Sequence, residues 1–270
     1  MLADVAQCAN VMEPETMPPR SHDSVVSDQF GPRAEAYVVS AVHARGEDLE
    51  EFERLVGSPP GTVALDLGCG GGHLAFLLAR RTQRVVAYDL SAAMLEAVSA
   101  EAERRGLANL ETRQGSVEAL PWPDGAFDIV ASRYSAHHWR DVGAGVAEAR
   151  RTLKPGGLAA FMDVVAPEDP LLDTWLQSLE LLRDPSHVRN YTIPQWRTML
   201  ETVGFKPIQC SRYRIRLEFA AWVARMNTPP TLIAAIRALQ ARADEDVVCH
   251  FAIEADGSFS IDTMLMVAEG

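Results

Sequence analysis

The chain has 270 residues, 47% of them hydrophobic, enough to bury the core of one α/β domain with additions rather than two equal domains. Twenty-five basic against 37 acidic residues leave a formal charge of -12, which argues against a broad electrostatic grip on nucleic-acid phosphates or anionic membranes and makes a small molecule the default partner. The cysteines Cys8, Cys69, Cys210 and Cys249 form no C-x-x-C pair, no apolar run approaches a membrane span, and Asp4 stands where a signal peptide carries basic residues, so a reducing cytoplasmic setting is expected.

Residues 1–24 mix Pro, Ser and acidic residues without a period and read as a flexible leader. From Asp28 to Leu55 the pattern turns helical, with Tyr37, Val38, Ala41 and Val42 able to share one face and Gly46 separating two helices. Val63-Ala-Leu-Asp-Leu67 then reads as a short buried strand, and Gly68-Cys-Gly-Gly-Gly72 opens onto the apolar stretch Leu74 to Ala79. Strand, glycine turn and helix start form a cradle for a nucleotide-like ligand, because a backbone without side chains can press on it and free N–H groups attract negative charge.

A second strand, Val85 to Leu90, ends near Asp89, about twenty residues after the glycines, where a ribose-binding carboxylate stands. Ser91 N-caps the helix Ala92 to Arg105, which Gly106 ends. Leu110 to Gln114 is a third strand, Pro123-Asp-Gly125 a turn, and Phe127 to Ser132 a fourth strand. The helix Val142 to Leu153, the turn Lys154-Pro-Gly-Gly157 and the strand Leu158 to Val165 complete five strands of a parallel sheet.

The glycine spacing separates two cofactor classes. The dinucleotide fingerprint wants a third glycine three residues after Gly70, and His73 stands there. The pattern Asp66-x-Gly68-x-Gly70-x-Gly72 instead resembles the first motif of class I S-adenosylmethionine (SAM) dependent methyltransferases. Asp89-Leu-Ser-Ala-Ala-Met94, Glu118-Ala-Leu-Pro-Trp-Pro-Asp-Gly-Ala-Phe-Asp128 and Leu153-Lys-Pro-Gly-Gly157 look like the following blocks of the small-molecule branch, and are most similar to the ubiquinone/menaquinone C-methyltransferases.

This resemblance covers residues 62–165 and implies a doubly wound, mostly parallel seven-stranded α/β sheet. It also implies a set of cofactor contacts. Gly68, Gly70 and Gly72 would approach the methionyl part of SAM, with Asp66 near its amino group. Asp89 would hold the ribose hydroxyls, and Leu90 and Met94 would pack on the adenine. Ser116, beside Val117, stands where the family has an acid reading the adenine amino group, and a neutral hydroxyl accepts that bond more weakly. Tyr37, with Gln29, Phe30 and Arg33, would close an N-terminal helix over the cofactor or simply pack that helix down. Asp128 reads as a structural residue, and Cys69 as a small side chain tolerated in a tight turn.

In such sheets ligands sit beyond the carboxyl ends of the strands, which puts Arg133-Tyr-Ser-Ala-His-His-Trp-Arg-Asp141 beside the reacting methyl. Methyl transfer needs positioning of the acceptor and, where it carries a proton, a base near neutrality. His137 is the candidate base, weighed against the adjacent His138 and against both histidines merely docking the loop. Arg133 would pair with the SAM carboxylate or with the N-terminal helix, and adjacent histidines without a third ligand indicate no metal.

The remaining residues, 166–270, would carry acceptor identity. A helix Pro170 to Leu182 leads to the polar loop Arg183 to Tyr191, which would form a pocket lip or a solvated connection. A helix begun by Thr192 and Pro194 ends at Gly204, and Phe205 to Leu217 is the sixth strand. Two helical stretches broken at Pro229-Pro230 follow, with Phe219, Trp222, Val223 and Met226 on one side as a lid or as core. A hairpin over Phe251 to Val267, turning at Asp256-Gly257, supplies the seventh strand. The expected whole is one domain over residues 25–270 after the leader: helices over 25–57, a cofactor core over 62–165 and a substrate side after it. The expected function is SAM-dependent methyl transfer to an oxygen, carbon or nitrogen of a small-molecule acceptor; a non-catalytic SAM-binding protein and an NAD-dependent oxidoreductase are the alternatives.

Overall fold

The computed structural model describes residues 20–38, 46–57 and 61–270. Ala41, Val42 and most of the expected leader lie outside them. Its centre is a seven-stranded sheet in the order β3-β2-β1-β4-β5-β7-β6. The strands are β1 Val63–Leu67, β2 Arg84–Asp89, β3 Leu110–Gln114, β4 Phe127–Arg133, β5 Leu153–Val164, β6 Lys206–Leu217 and β7 Phe259–Glu269. The first five run parallel, and β7 pairs antiparallel with β5 and β6. Chain order reverses between β1 and β4, so a crevice opens beyond their carboxyl ends.

Each helix is fixed by a local signal. Ser21 caps α1 His22–Phe30, a 3-10 turn Gly31–Arg33 leads into α2 Ala34–Val38, and α3 Glu47–Leu55 follows. The glycine loop opens α4 His73–Ala79, and Ser91 caps α5 Ala92–Arg104 by accepting the Met94 N–H. Asp141 caps α6 Val142–Thr152, and Asp169 caps α7 Pro170–Arg183. Thr192 and Gln195 form a reciprocal capping box on α8 Ile193–Thr202. The last helices are α9 Phe219–Arg225, α10 Pro230–Ala241 and α11 Glu245–Phe251, with the break between α9 and α10 at the expected prolines.

Phe52, Phe76, Leu78 and Val98 bury one face of the sheet under α3, α4 and α5, and Trp139, Val146, Trp196 and Leu200 bury the other under α6 and α8. A third apolar cluster joins α7, α9, α10 and α11 through Leu179, Trp222, Ile236 and Phe251, and stands over the carboxyl end of β5. No helix among the described residues is long and apolar enough to cross a membrane.

The sequence reading needs correction in three places. The first helix begins at His22, inside the expected leader, because Ser21 supplies its cap. Lys154-Pro-Gly-Gly157 does not separate helix from strand: β5 already begins at Leu153, with Gly156 in a left-handed conformation inside it. The expected hairpin does not form, since Asp244 caps Glu245–Phe251 as a helix, and β7 finds both its partners in β5 and β6.

Candidate functional site

A cavity lies beyond the ends of β1, β2 and β4. Of the expected cofactor residues it is lined by Tyr37, Asp66, Gly68, Gly70, Asp89, Leu90, Met94, Ser116, Val117 and Arg133. Gly72 stands off it. A Cβ there would meet Val98 and Phe76 at 2.9 and 3.0 Å, so this left-handed glycine lets α4 pack on α5 and touches no ligand space. Gly71, which the alternating pattern passed over, has the tighter constraint: its Cβ would come within 2.7 Å of the Tyr37 carbonyl. The N-terminal helices therefore lie directly on the glycine loop. His73 fastens them there, its Nε2 lying 2.8 Å from the Tyr37 carbonyl oxygen, and His22 Nε2 lies equally close to the His138 carbonyl oxygen. The residue that breaks the dinucleotide fingerprint is thus a latch for α2.

Two of the carboxylates lining this cavity, Asp66 and Asp89, stand at the strand ends, with Asp23 and Glu118 also in the lining. Asp66 is 1% exposed, and its Oδ2 has no hydrogen-bond partner. Burial, reinforced by the nearby Asp89 charge and opposed by the Ala75 amide and Arg133, pushes its pKa up to about 8. Asp89 accepts the Gly70 N–H on one oxygen and the Ser91 N–H on the other, each at 2.9 Å. Every carboxylate oxygen has a second lone pair, so a hydroxyl pair can still dock there. Burial raises Asp89 too, against three backbone amides that favour its charge. Ser116 Oγ already accepts the Glu118 N–H. Cys69 is buried with its thiol pKa pushed well above the usual value, which leaves it unreactive.

Arg133 takes the second of its two expected roles. Its Nε and Nη2 lie 2.6 and 3.1 Å from the two oxygens of Asp48 on α3, in an ion pair whose side chains are each 6% exposed. Asp128 is structural, accepting the Val63 N–H and a Lys154 ammonium.

A second cavity adjoins the first, and Phe30, Tyr37, Arg133, Tyr134 and His138 line both. Tyr134 holds a positive φ of 50°, an uncommon conformation for a bulky residue, at the turn where β4 delivers the chain between the cavities. Tyr37 spans them, its hydroxyl turned to Met226 Sδ at 3.1 Å. Trp222 and Met226 line the second cavity while Phe219, Val223 and Trp222 itself pack the apolar cluster, so this stretch joins the cavity wall to the core.

The histidines divide between these spaces. His137 lines only the second cavity, and its Nδ1 lies 2.5 Å from Asp163 Oδ1. A carboxylate partner fixes the proton on Nδ1 and leaves the Nε2 lone pair available, with no protein partner among the described residues. Burial lowers the His137 pKa, but Asp163, with Glu180 and Asp184, outweighs it and holds the ring above its ordinary value. His138 lines the wall between the cavities, with Nδ1 3.1 Å from the Ser186 carbonyl oxygen. Burial and the neighbouring His137 charge lower it to about 4, so it is neutral at pH 7. Among the described residues no three His, Cys, Asp or Glu side chains are grouped to hold a metal.

Asp163, which lines neither cavity but partners His137, and the lining residue Arg225 escaped the sequence reading. Asp163 had a signal: it is the sole charge in the apolar run Leu158 to Val165, where an acid is retained only with partners, and it accepts both His137 and the Ala136 N–H. Tyr134 and Asn190 lie in the two loops that the sequence had placed at the pocket without singling them out, whereas Arg225 had no signal, because a helix distant in sequence brings it there.

Comparison with known proteins agrees with this arrangement. The model of a family described as a methyltransferase domain matches residues 65–161. The chain is 48% identical to the uncharacterized protein YafE of Escherichia coli over 201 residues, 74% of this chain and 97% of that one. It is 36% identical to the uncharacterized methyltransferase YcgJ of Bacillus subtilis over 202 residues, 74% and 79% of the two chains. The crystal structure of YcgJ superposes with a TM-score of 0.78 at 31% identity, covering 82% of this chain and 97% of YcgJ. A putative methyltransferase of Bacillus halodurans gives the same TM-score and identity over 83% and 99%.

Proposed function

The chain belongs to the methyltransferase-domain family of class I S-adenosylmethionine-dependent enzymes, and from that premise we propose that it is a cytoplasmic enzyme that moves the methyl group of SAM to a small-molecule acceptor. The observation that carries the reading is the carboxylate pair at the ends of β1 and β2, Asp66 buried with an orphaned oxygen and Asp89 half-buried, both held above the ordinary range. An environment that penalises two anions asks for a cation and for hydroxyl donors. SAM offers an ammonium to Asp66 Oδ2 and a ribose diol to Asp89, while the diphosphate of a nicotinamide dinucleotide would add charge of the wrong sign. When bound, this cofactor supplies a methyl group on a positively charged sulfur.

The chain's own residues account for the rest of the reaction. Gly68 and Gly70 give the methionyl part close backbone approach, and Leu90, Met94, Ser116 and Val117 line the space for the adenine. Tyr37, held by His73 and facing both cavities, covers the cofactor. The acceptor occupies the second cavity, where His137 Nε2 takes its proton while Asp163 keeps the tautomer and steadies the imidazolium. Arg133 shapes the wall through Asp48 and leaves the SAM carboxylate to backbone amides. The four sequence blocks resembling quinone C-methyltransferases name an activated ring carbon as one acceptor, beside oxygen and nitrogen nucleophiles.

Thermal unfolding with SAM, S-adenosylhomocysteine and NADH tests the cofactor. A ligand at about 100 times its Kd adds ~2.7 kcal/mol, so both sulfur compounds should raise Tm and NADH should not. Stabilisation by NADH alone would overturn the reading. A protein that binds SAM yet transfers no methyl group to any acceptor would be a binding protein instead.

A further inference from the structure

The second cavity contains a cation and an amide that the fold leaves without partners. Arg225, the last residue of α9, lines it half-buried and makes no ion pair or hydrogen bond among the described residues. Burial and then the nearby Arg183 guanidinium oppose its charge, only partly offset by Tyr37 and Glu180, and its pKa is lowered. The other arginines lining this space are committed. Arg133 pairs with Asp48, Arg214 with Asp262 and Arg216 with Glu254. Arg183 donates to the Trp222 carbonyl, lies over the Trp222 ring and approaches Glu180 at 3.5 Å.

Asn190 is the second, independent observation. It is 2% exposed and lines the same cavity, yet neither its Oδ1 nor its Nδ2 has a partner. Its backbone is clamped: Gln177 Oε1 accepts the Asn190 N–H, and Gln177 Nε2 donates to the Asn190 carbonyl. The fold thus holds this residue in the cavity wall while leaving its buried side-chain donor and acceptor without a partner. Buried polar groups are almost always satisfied, and an exception in the wall of a cavity calls for a partner such as a bound ligand or water.

We propose that the methyl acceptor is a carboxylate-bearing small molecule, its carboxylate held by Arg225 and a second polar group held by the Asn190 amide. The proposal rests on the acceptor occupying the second cavity. A guanidinium presents a planar fork that matches a carboxylate bidentately. Glu180 and Asp184 line the same space, and Glu180 is itself raised by burial, so a second negative charge is disfavoured and a monoanion fits better than a phosphate dianion. Trp222, Phe30 and Tyr134 supply apolar walls for the body of the molecule.

The experiment measures binding of matched carboxylate and carboxamide pairs of graded size, from acetate and acetamide through 2-hydroxybenzoate and 2-hydroxybenzamide, to the full chain by calorimetry or ligand-observed NMR. At least one carboxylate should bind tenfold more tightly than its amide, and Arg225→Gln should abolish that preference. Asn190→Ala should weaken acid and amide alike. S-adenosylhomocysteine affinity, measured on the same variants, should stay unchanged. Equal binding of acids and amides, no binding of any acid at millimolar concentration, or an acid preference that survives Arg225→Gln would overturn the proposal, as would tighter binding of phenyl phosphate than of benzoate. The assay uses no SAM, so failure of the cofactor reading shows separately, as absent S-adenosylhomocysteine binding in the unmodified protein.

Discussion

Replacing Asp66 with Asn should stabilise the protein and cripple cofactor binding at once. The folded state moves this carboxyl from 3.8 to about 8. An acid raised on folding is favoured by protonation, so its stability contribution is intact below the unfolded value and falls as pH climbs toward the folded one. At ~1.4 kcal/mol per unit, the cost has reached about 4 kcal/mol by pH 7. Asparagine escapes that cost but leaves an amide unpaired at the same buried position, which returns about 1–3 kcal/mol. The net gain should be about 1–3 kcal/mol, a Tm rise of roughly 2–12 °C, present at pH 8 and absent at pH 4. Cofactor affinity should fall about a hundredfold, ~2.7 kcal/mol, because the ammonium loses a charged partner. Calorimetry adds an independent reading: SAM binding to the unmodified protein at pH 7 should release close to one proton, seen as a dependence on buffer ionisation heat that the variant lacks. A variant no more stable at pH 8 than at pH 4 relative to the parent, or one with undiminished SAM affinity, would refute the reasoning.

Three further outcomes follow from the geometry. His137→Ala should slow turnover by about 10²–10⁴-fold with S-adenosylhomocysteine affinity unchanged. Because the ring acts as a base only when neutral and its pKa is held up, kcat/KM should rise with pH through that raised value; Asp163→Asn should move this limb to lower pH and reduce the plateau. Asp48→Ala would remove the buried carboxylate that pairs with the Arg133 guanidinium and should cost about 3–5 kcal/mol in urea denaturation. Gly71→Ala should push α2 off the glycine loop by crowding the Tyr37 carbonyl, weakening S-adenosylhomocysteine binding in titration by tenfold or more, whereas unchanged affinity would remove α2 from the cofactor site.

The parallel core was legible because its signals are local. Valine-rich runs, glycine turns and the caps Ser91 and Thr192 each act within a few residues, and the first four parallel strands stand within a residue of where periodicity put them, while β5 begins five residues early, at Leu153. The seventh strand was found for a wrong reason: Phe251-Ala-Ile resembles a hairpin arm, but the Asp244 cap satisfies its helix first. The first cavity was legible for the same reason as the core, since its lining clusters at strand ends with fixed spacing. The second cavity was less so. Its residues come from α1, α2, α3, β4, β5, α7, β6, α9 and β7 and from the loops between them, and no sequence pattern says that Asn190 and Arg225 share a space.

The boundary between the two cavities ties these readings together. Tyr37 reaches it from α2, Tyr134 from the turn after β4, and His138 from the adjoining 3-10 turn. Each is held by a contact to a different element: Tyr37 through His73 to the glycine loop, Tyr134 by its amide to the Met162 carbonyl, and His138 to Ser186 before α8. A wall assembled from the cofactor side, the sheet and the substrate side is rigid only when all three are docked. Filling the first cavity presses on Tyr37 and therefore on the second, so S-adenosylhomocysteine should tighten the binding of a carboxylate probe, and by linkage the probe should tighten S-adenosylhomocysteine by the same factor. Two titrations, each with the other ligand saturating, measure both factors. Independent binding would mean that the shared wall is static and that each cavity selects its ligand alone.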